Sequence, residues 1–155
     1  MIIRKAKEED YNGIDELVNQ LLELHLVNRP DMYVKLKHPL SLDEFNNFIS
    51  SNRKIVLVAE DDSKLIGFGI VTIMNNSGMV KNRKVALLDN IYVVKEQRGK
   101  GVGSNLLSNL RNLSKDKGAK RMDLVVWSFN TKAIEFYKKN GMAIQRYILE
   151  DNINN

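Results

Sequence analysis

Residues 97–103 read QRGKGVG, three glycines at alternate positions flanked by Arg98 and Lys100, two residues after the apolar run ALLDNIYVV. Alternate glycines between a strand and a helix let successive backbone N–H groups turn toward one point, where the positive end of the helix dipole adds to them. The chemistry on offer is anion binding, above all of phosphates, which a side chain in the loop would keep out. A P-loop needs GxxxxGK followed by Ser or Thr, and that order is absent. A dinucleotide-binding loop reads GxGxxG with an acid about 20 residues on, at the end of the next strand. After LVVW this chain offers Ser128, Phe129 and Asn130 instead. Glycines used only for tight helix packing leave the cations unexplained. A second candidate precedes the loop: Asp89 is a carboxylate inside an apolar strand, and such conflicts with local preference tend to mark functional sites. Its alternative is a structural partner for a nearby lysine or loop amide.

These groups need a scaffold, and the sequence outlines one. IIRKA at 2–6 alternates as a short strand, and apolar residues at 14, 17, 18, 21 and 24 fall on one helix face. A loop holding both prolines of the chain leads to SLDEFNNFISSN, where Ser41 and Glu44 have capping-box spacing. KIVLVAED, a DDSK turn and LIGFGIVTIM read as a hairpin, with Gly67 and Gly69 as bulge or close-approach points. VALLDNIYVV is apolar almost throughout, the pattern of a strand buried on both faces. Leu106, Leu107, Leu110 and Leu113 then mark a helix, KGAKRMDLVVW a turn and a parallel strand, NTKAIEFYKKNG a short helix stopped by Gly141, and MAIQRYILE a final strand. The expectation is one domain over 1–150, with 151–155 frayed.

Composition narrows the classes. The 155 residues are 43% apolar and 28% charged, as in ordinary globular chains. No apolar run approaches the roughly 18 residues of a membrane span, and the start lacks a signal-peptide core, so a cytoplasmic protein with no membrane partner is expected. With no cysteine and only His25 and His38, which lack metal spacing, no metal site is expected. The net charge of +5 is concentrated: eleven Lys or Arg lie between Lys81 and Arg121 against Asp89, Glu96 and Asp116. Such a field suits a polyanion, either nucleic acid or a phosphate-rich cofactor. Nucleic acid is disfavoured, because Tyr92 and Trp127 sit in apolar strands rather than among exposed cations.

The segment RGKGVG resembles the Arg/Gln-x-x-Gly-x-Gly/Ala signature of the GNAT superfamily of acetyl-CoA-dependent N-acetyltransferases. LLDNIYVVKEQRGKGVGSNLL resembles the family's fourth strand, pyrophosphate loop and third helix, and LVVWSFNTKAIEFYKKNGM its fifth strand and following helix. The resemblance implies an α/β (α+β) fold: a mixed, mostly antiparallel central sheet with a splayed parallel strand pair, flanked by about four helices. It implies acetyl-CoA as cosubstrate. The pantetheine arm would bond the backbone of Ile91, Tyr92 and Val93, while the pyrophosphate would rest on Gly99, Lys100, Gly101, Val102, Gly103 and Ser104 with Arg98 beside it. Asn130 and Ala133 would lie near the arm, although Asn130 could serve only as a helix cap.

The same resemblance assigns the chemistry. An amine must be neutral to attack a thioester, so a base is needed, directly or through water, and Asp89 is the candidate. Glu60, Asp61 and Asp62 at a hairpin end are weaker choices. Tyr137, matching the family's tyrosine, would protonate the departing thiolate, although a bare tyrosine there would be read as core or boundary. Without cysteine, transfer would be direct, in a ternary complex. The acceptor, a small-molecule or peptide amine, would lie near His25, Asp31, Tyr33 and Trp127, with His25 also readable as a boundary residue. Acids at Asp31 and Asp89 lean toward a cationic acceptor. A homodimer is one expected assembly, and a non-catalytic acyl-CoA-binding domain is the alternative function.

Overall fold

A computed structural model describes residues 1–153; Asn154 and Asn155, the end of the expected frayed tail, lie outside the described residues. The chain divides into two compact units, Met1–Val125 and the stretch from Val126 onward. The first unit holds β1 (Ile2–Lys5), α1 (Tyr11–Asn28), α2 (Leu42–Ser50), β2 (Lys54–Asp61), β3 (Lys64–Asn76), β4 (Arg83–Val93), α3 (Val102–Asp116) and β5 (Met122–Asp123). The strands form one sheet in the order β1-β2-β3-β4-β5, antiparallel except for the parallel pair β4–β5. The second unit carries α4 (Thr131–Lys139), so the expected mixed sheet and four helices are present.

Local chemistry explains the elements. Ser41 and Glu44 close the expected capping box: the Glu44 amide donates to Ser41 Oγ at 3.2 Å and the Ser41 amide to Glu44 Oε2 at 3.0 Å. β2 and β3 meet through Asp62 and Ser63, at φ +48° and +61°, the two left-handed residues of a primed hairpin turn. α1 and α2 cover one face of the sheet, where Ile14, Leu17 and Phe45 pack on Val56, Val58, Phe68 and Ile70. α3 covers the other with Leu106, Leu107 and Leu110, each fully buried and each contributing about 1.5–3 kcal/mol. Gly69 permits that approach, since a Cβ there would sit 2.6 Å from Leu110 Cδ1.

At the far edge, Arg4 forks onto Asp10 with Nη1–Oδ2 at 2.7 Å and Nη2–Oδ1 at 2.8 Å, and donates from Nε to Glu60 Oε2 at 2.8 Å. The Arg4 guanidinium holds the buried Asp10 carboxyl below the usual carboxylate range. This triad ties β1, β2 and the entry to α1 together.

Two expected strands differ. LVVW is not a full strand, because β5 pairs only through Met122 and Asp123. MAIQRYILE forms no strand at all, and Ile144, Tyr147, Ile148 and Leu149 are exposed. Alternation tells which residues would share a face; a strand also needs a neighbour to complete its ladder, which the pattern does not supply.

Candidate active site

The glycine loop sits between β4 and α3. Gly99 and Gly101 adopt φ +77° and +83°, a region costly for any residue with a Cβ, and open space surrounds both. Gly101 is the N-cap of α3, and the first amides of the helix, Val102 to Ser104, have no intrahelical acceptor. These N–H groups and the helix dipole converge on the space over the loop. The cations are rooted beside it: Arg98 Nε donates to the Val93 carbonyl at 2.9 Å, with its guanidinium 5.3 Å from the Tyr92 ring centroid, and Lys100 Nζ donates to Gln97 Oε1 at 3.1 Å.

The strand leading into the loop offers a second row of backbone groups. The parallel ladder joins Ala86 to Met122 and Leu87 to Asp123 and goes no further, so β4 from Leu88 to Val93 pairs with β3 alone. The Val94 amide donates to the Ile66 carbonyl at 2.9 Å, which fixes the alternation: Tyr92 exchanges bonds with Phe68, while the amides of Ile91 and Val93 turn toward the open edge. Of the three residues expected to bond an extended ligand, Ile91 and Val93 therefore present backbone groups. Tyr92 instead sends its hydroxyl to Gln20 Oε1 at 3.1 Å.

Asp89 is the extra residue of a β-bulge. The β3–β4 register pairs Ile70 with Asn90 and Val71 with Leu88, leaving Asp89 unmatched, and bulges re-aim side chains in this way. Thr72 Oγ1 donates to Asp89 Oδ2 at 2.5 Å, and Lys54 Nζ donates to Thr72 Oγ1 at 2.8 Å and to Asp89 Oδ2 at 3.3 Å. The Lys54 ammonium also lies 4.2 Å from the Phe48 ring centroid. Both interactions of the carboxylate use Oδ2, and Oδ1 has no partner among the described residues. Sequence reasoning missed Lys54 and Thr72; a hydroxyl in the apolar strand LIGFGIVTIM is the signal that could have found Thr72. Of the weaker acids, Glu60 is held by Arg4 and Asp61 by the Met1 ammonium at 2.7 Å.

The residues expected around the acceptor are only partly gathered. The His25 and Tyr33 rings meet at a tilt of 44° with centroids 4.9 Å apart at the end of α1, and His25 Nδ1 donates to the Leu21 carbonyl at 2.8 Å. Asp31 is taken up by Arg29, with Nε–Oδ1 at 2.9 Å and Nη2–Oδ2 at 2.7 Å, and this lowers its pKa. Asp31 and Asp89, the acids behind the expected lean toward a cationic acceptor, each also meet a cation of this chain. Within the first unit, the partners of Asp89 are Thr72 and Lys54 rather than His25, Asp31 or Tyr33.

Within the second unit, Trp127 stacks on Phe129 at 6.2 Å. Asn130 is the N-cap of α4, its Oδ1 accepting from the Ala133 amide at 3.2 Å, and Gly141 at φ +82° ends that helix. The Tyr137 hydroxyl has no hydrogen-bond partner among the described residues, and burial pushes its pKa up to about 12.

A backbone cradle for phosphate at a helix N-terminus, continuous with an unpaired strand edge, fits an elongated ligand with an amide-bearing arm and a polyphosphate end. An acyl-CoA has that form. The sequence profile of the Acetyltransferase (GNAT) family matches residues 18–142, and the chain belongs to that family of acyltransferases. Thialysine N-epsilon-acetyltransferase of Sus scrofa is 29% identical over 146 residues, covering 91% of this chain and 83% of that protein. The crystal structure of a mutant of the BH1408 protein from Bacillus halodurans superposes with a TM-score of 0.95 at 25% identity, covering 99% of this chain and 100% of that one. Aminoglycoside N-acetyltransferase AAC(6')-Iy, solved in complex with CoA, shares the fold with a TM-score of 0.76 at 18% identity, covering 97% of this chain and 98% of that one. Among the described residues, no helix is long and apolar enough to cross a membrane.

Proposed function

We propose that this chain moves the acetyl group of acetyl-CoA directly onto a primary amine of a small molecule or peptide, in a ternary complex. The observation that carries the reading is the continuity of two backbone sites, the left-handed glycine loop at the α3 N-terminus and the open edge of β4 at Ile91 and Val93. The amides of Gly99 to Ser104 bind the pyrophosphate, Arg98 and Lys100 offset its charge, and the β4 edge aligns the pantetheine arm. Bound acetyl-CoA supplies an activated acyl group as a thioester. Asn130 and Ala133 lie along the arm in this reading, and Tyr137 keeps its proton on Oη for the departing sulfur. A phenol pushed up to about 12 stays protonated at neutral pH, as a proton donor must.

Asp89 removes the proton from the amine through its free Oδ1, directly or through one water. Lys54 and Thr72 grip Oδ2 and fix the direction of that lone pair. Metal chemistry plays no part in this assignment. His25, Tyr33 and Trp127 line the acceptor, and the name of the pig relative supports thialysine, which ends in a primary amine, as the first acceptor to try. The hold of Lys54 on Asp89 is what favours the second reading, a domain that binds acyl-CoA without catalysis.

The test is thiol release from acetyl-CoA across a panel of thialysine, lysine, a polyamine, an aminosugar and a lysine-bearing peptide. At least one amine should raise release about tenfold or more over hydrolysis. Tight acetyl-CoA binding with no acceleration by any amine would leave the non-catalytic reading instead.

A further inference from the structure

Arg98 is claimed from two sides. In the proposed function it stands beside the pyrophosphate, yet in this chain its Nε donates to the Val93 carbonyl at 2.9 Å. That carbonyl is no ordinary loop acceptor. Val93 faces Gly67 across the β3–β4 ladder and the Val94 amide bonds the Ile66 carbonyl, so antiparallel alternation turns both the N–H and the C=O of Val93 toward the open edge of β4. An amide-bearing arm laid along that edge would donate to the same oxygen.

The resting place of the guanidinium is built from several elements. Its central carbon lies 5.3 Å from the Tyr92 ring centroid, within cation–π range, and the Tyr92 hydroxyl donates to Gln20 Oε1 of α1 at 3.1 Å, which fixes the ring. Leaving it takes only side-chain rotation, because Arg98 is exposed and its own amide is bonded separately, to the Lys95 carbonyl at 3.3 Å. An anion on the amides of the adjoining glycine loop would offer the guanidinium a charge-assisted bond in exchange, stronger than one to a neutral carbonyl.

We propose, on the reading of β4 and the glycine loop as one acyl-CoA site, that Arg98 selects the acyl donor. It covers the Val93 carbonyl in the free chain and leaves it for a bound diphosphate, so the strand edge opens to thioesters of coenzyme A and stays closed to thioesters whose pantetheine arm lacks the diphosphate. Each half of the donor then favours the other, since the diphosphate end releases a contact that the arm must otherwise displace, and such coupling is reciprocal.

The test is a titration followed by the amide resonances of Ile91 and Val93, with acetyl-pantetheine, acetyl-CoA and inorganic pyrophosphate as probes. In the wild type, saturating pyrophosphate should tighten acetyl-pantetheine binding about 2- to 10-fold, the range of one released hydrogen bond. Arg98→Ala should bind acetyl-pantetheine more tightly than the wild type by a similar factor, gain nothing further from pyrophosphate, and bind acetyl-CoA more weakly. A residue that only offset phosphate charge would leave acetyl-pantetheine unaffected. Unchanged acetyl-pantetheine affinity in Arg98→Ala, a pyrophosphate effect that survives the substitution, or tighter binding of both thioesters would each overturn the proposal; the proposed function would still stand if acetyl-CoA moved the Ile91 and Val93 resonances of the wild type. Acetyl-CoA that moves neither resonance would remove that function, and the selection with it.

Discussion

The glycine loop and the β4 bulge stand at opposite ends of one short stretch of chain, and they are built from different materials. In the proposed function, main-chain amides do the binding at the loop, aimed by left-handed φ at Gly99 and Gly101 and by the end of α3. At the bulge, a side chain is the proposed actor, and the Asp89 carboxylate is aimed by Thr72 and Lys54, which reach it from two neighbouring strands. A backbone site depends on φ and on open space; a side-chain site depends on the identity of its partners. Damage to the first should therefore appear in affinity, and damage to the second in rate.

The largest expected effect is at the bulge. Asp89→Asn preserves size and the Thr72 contact but removes the base, so kcat should fall about 10²- to 10⁴-fold on whichever amine the wild type accepts. A loss under threefold would reduce Asp89 to the structural partner of Lys54. Tyr137→Phe should lower kcat by about tenfold or more, since water can replace a phenol only in part, with the acetyl-CoA Kd unchanged. In addition, because burial holds the phenol near 12, the pH–rate profile should show no alkaline fall from this residue below about pH 10. Weakened binding in Tyr137→Phe would make it a cofactor contact instead.

The smallest effect belongs to a control at the opposite edge of the sheet. Asp10→Asn should cost about 1–3 kcal/mol of stability at pH 7, read by urea unfolding, and leave both kcat and Kd alone. The folded Asp10 carboxyl titrates below its unfolded value, so its contribution is complete above the unfolded pKa and fades as the pH falls through the folded one. The gap between wild type and variant should accordingly narrow below about pH 4. A gap that widens in acid would contradict the Arg4 pairing.

The contrast between loop and bulge also governs what was legible in the sequence. Gly99 and Gly101 announce a backbone conformation by residue type alone, and Leu106, Leu107 and Leu110 announce the helix behind them, so the cradle could be read from consecutive residues. Asp89 stood out as a carboxylate in an apolar strand, but its partners lie 17 and 35 positions away and meet it only through the β3–β4 register shift. A bulge has no residue signature of its own. Similarly, the Arg29–Asp31 pair two residues apart removed a charge that composition counted as available. MAIQRYILE was legible as a strand in pattern and absent as one in this chain, because pairing belongs to the neighbour as much as to the sequence.

The central claim is that the loop binds and the bulge acts. Calorimetric titration of acetyl-CoA into Gly101→Glu and Asp89→Asn, side by side, tests it most directly. Gly101→Glu places a side chain at φ +83° and a negative charge where phosphate should sit, so binding should weaken at least about 100-fold, whereas Asp89→Asn should bind within about twofold of wild type. Wild-type affinity in Gly101→Glu, or lost affinity in Asp89→Asn, would contradict it.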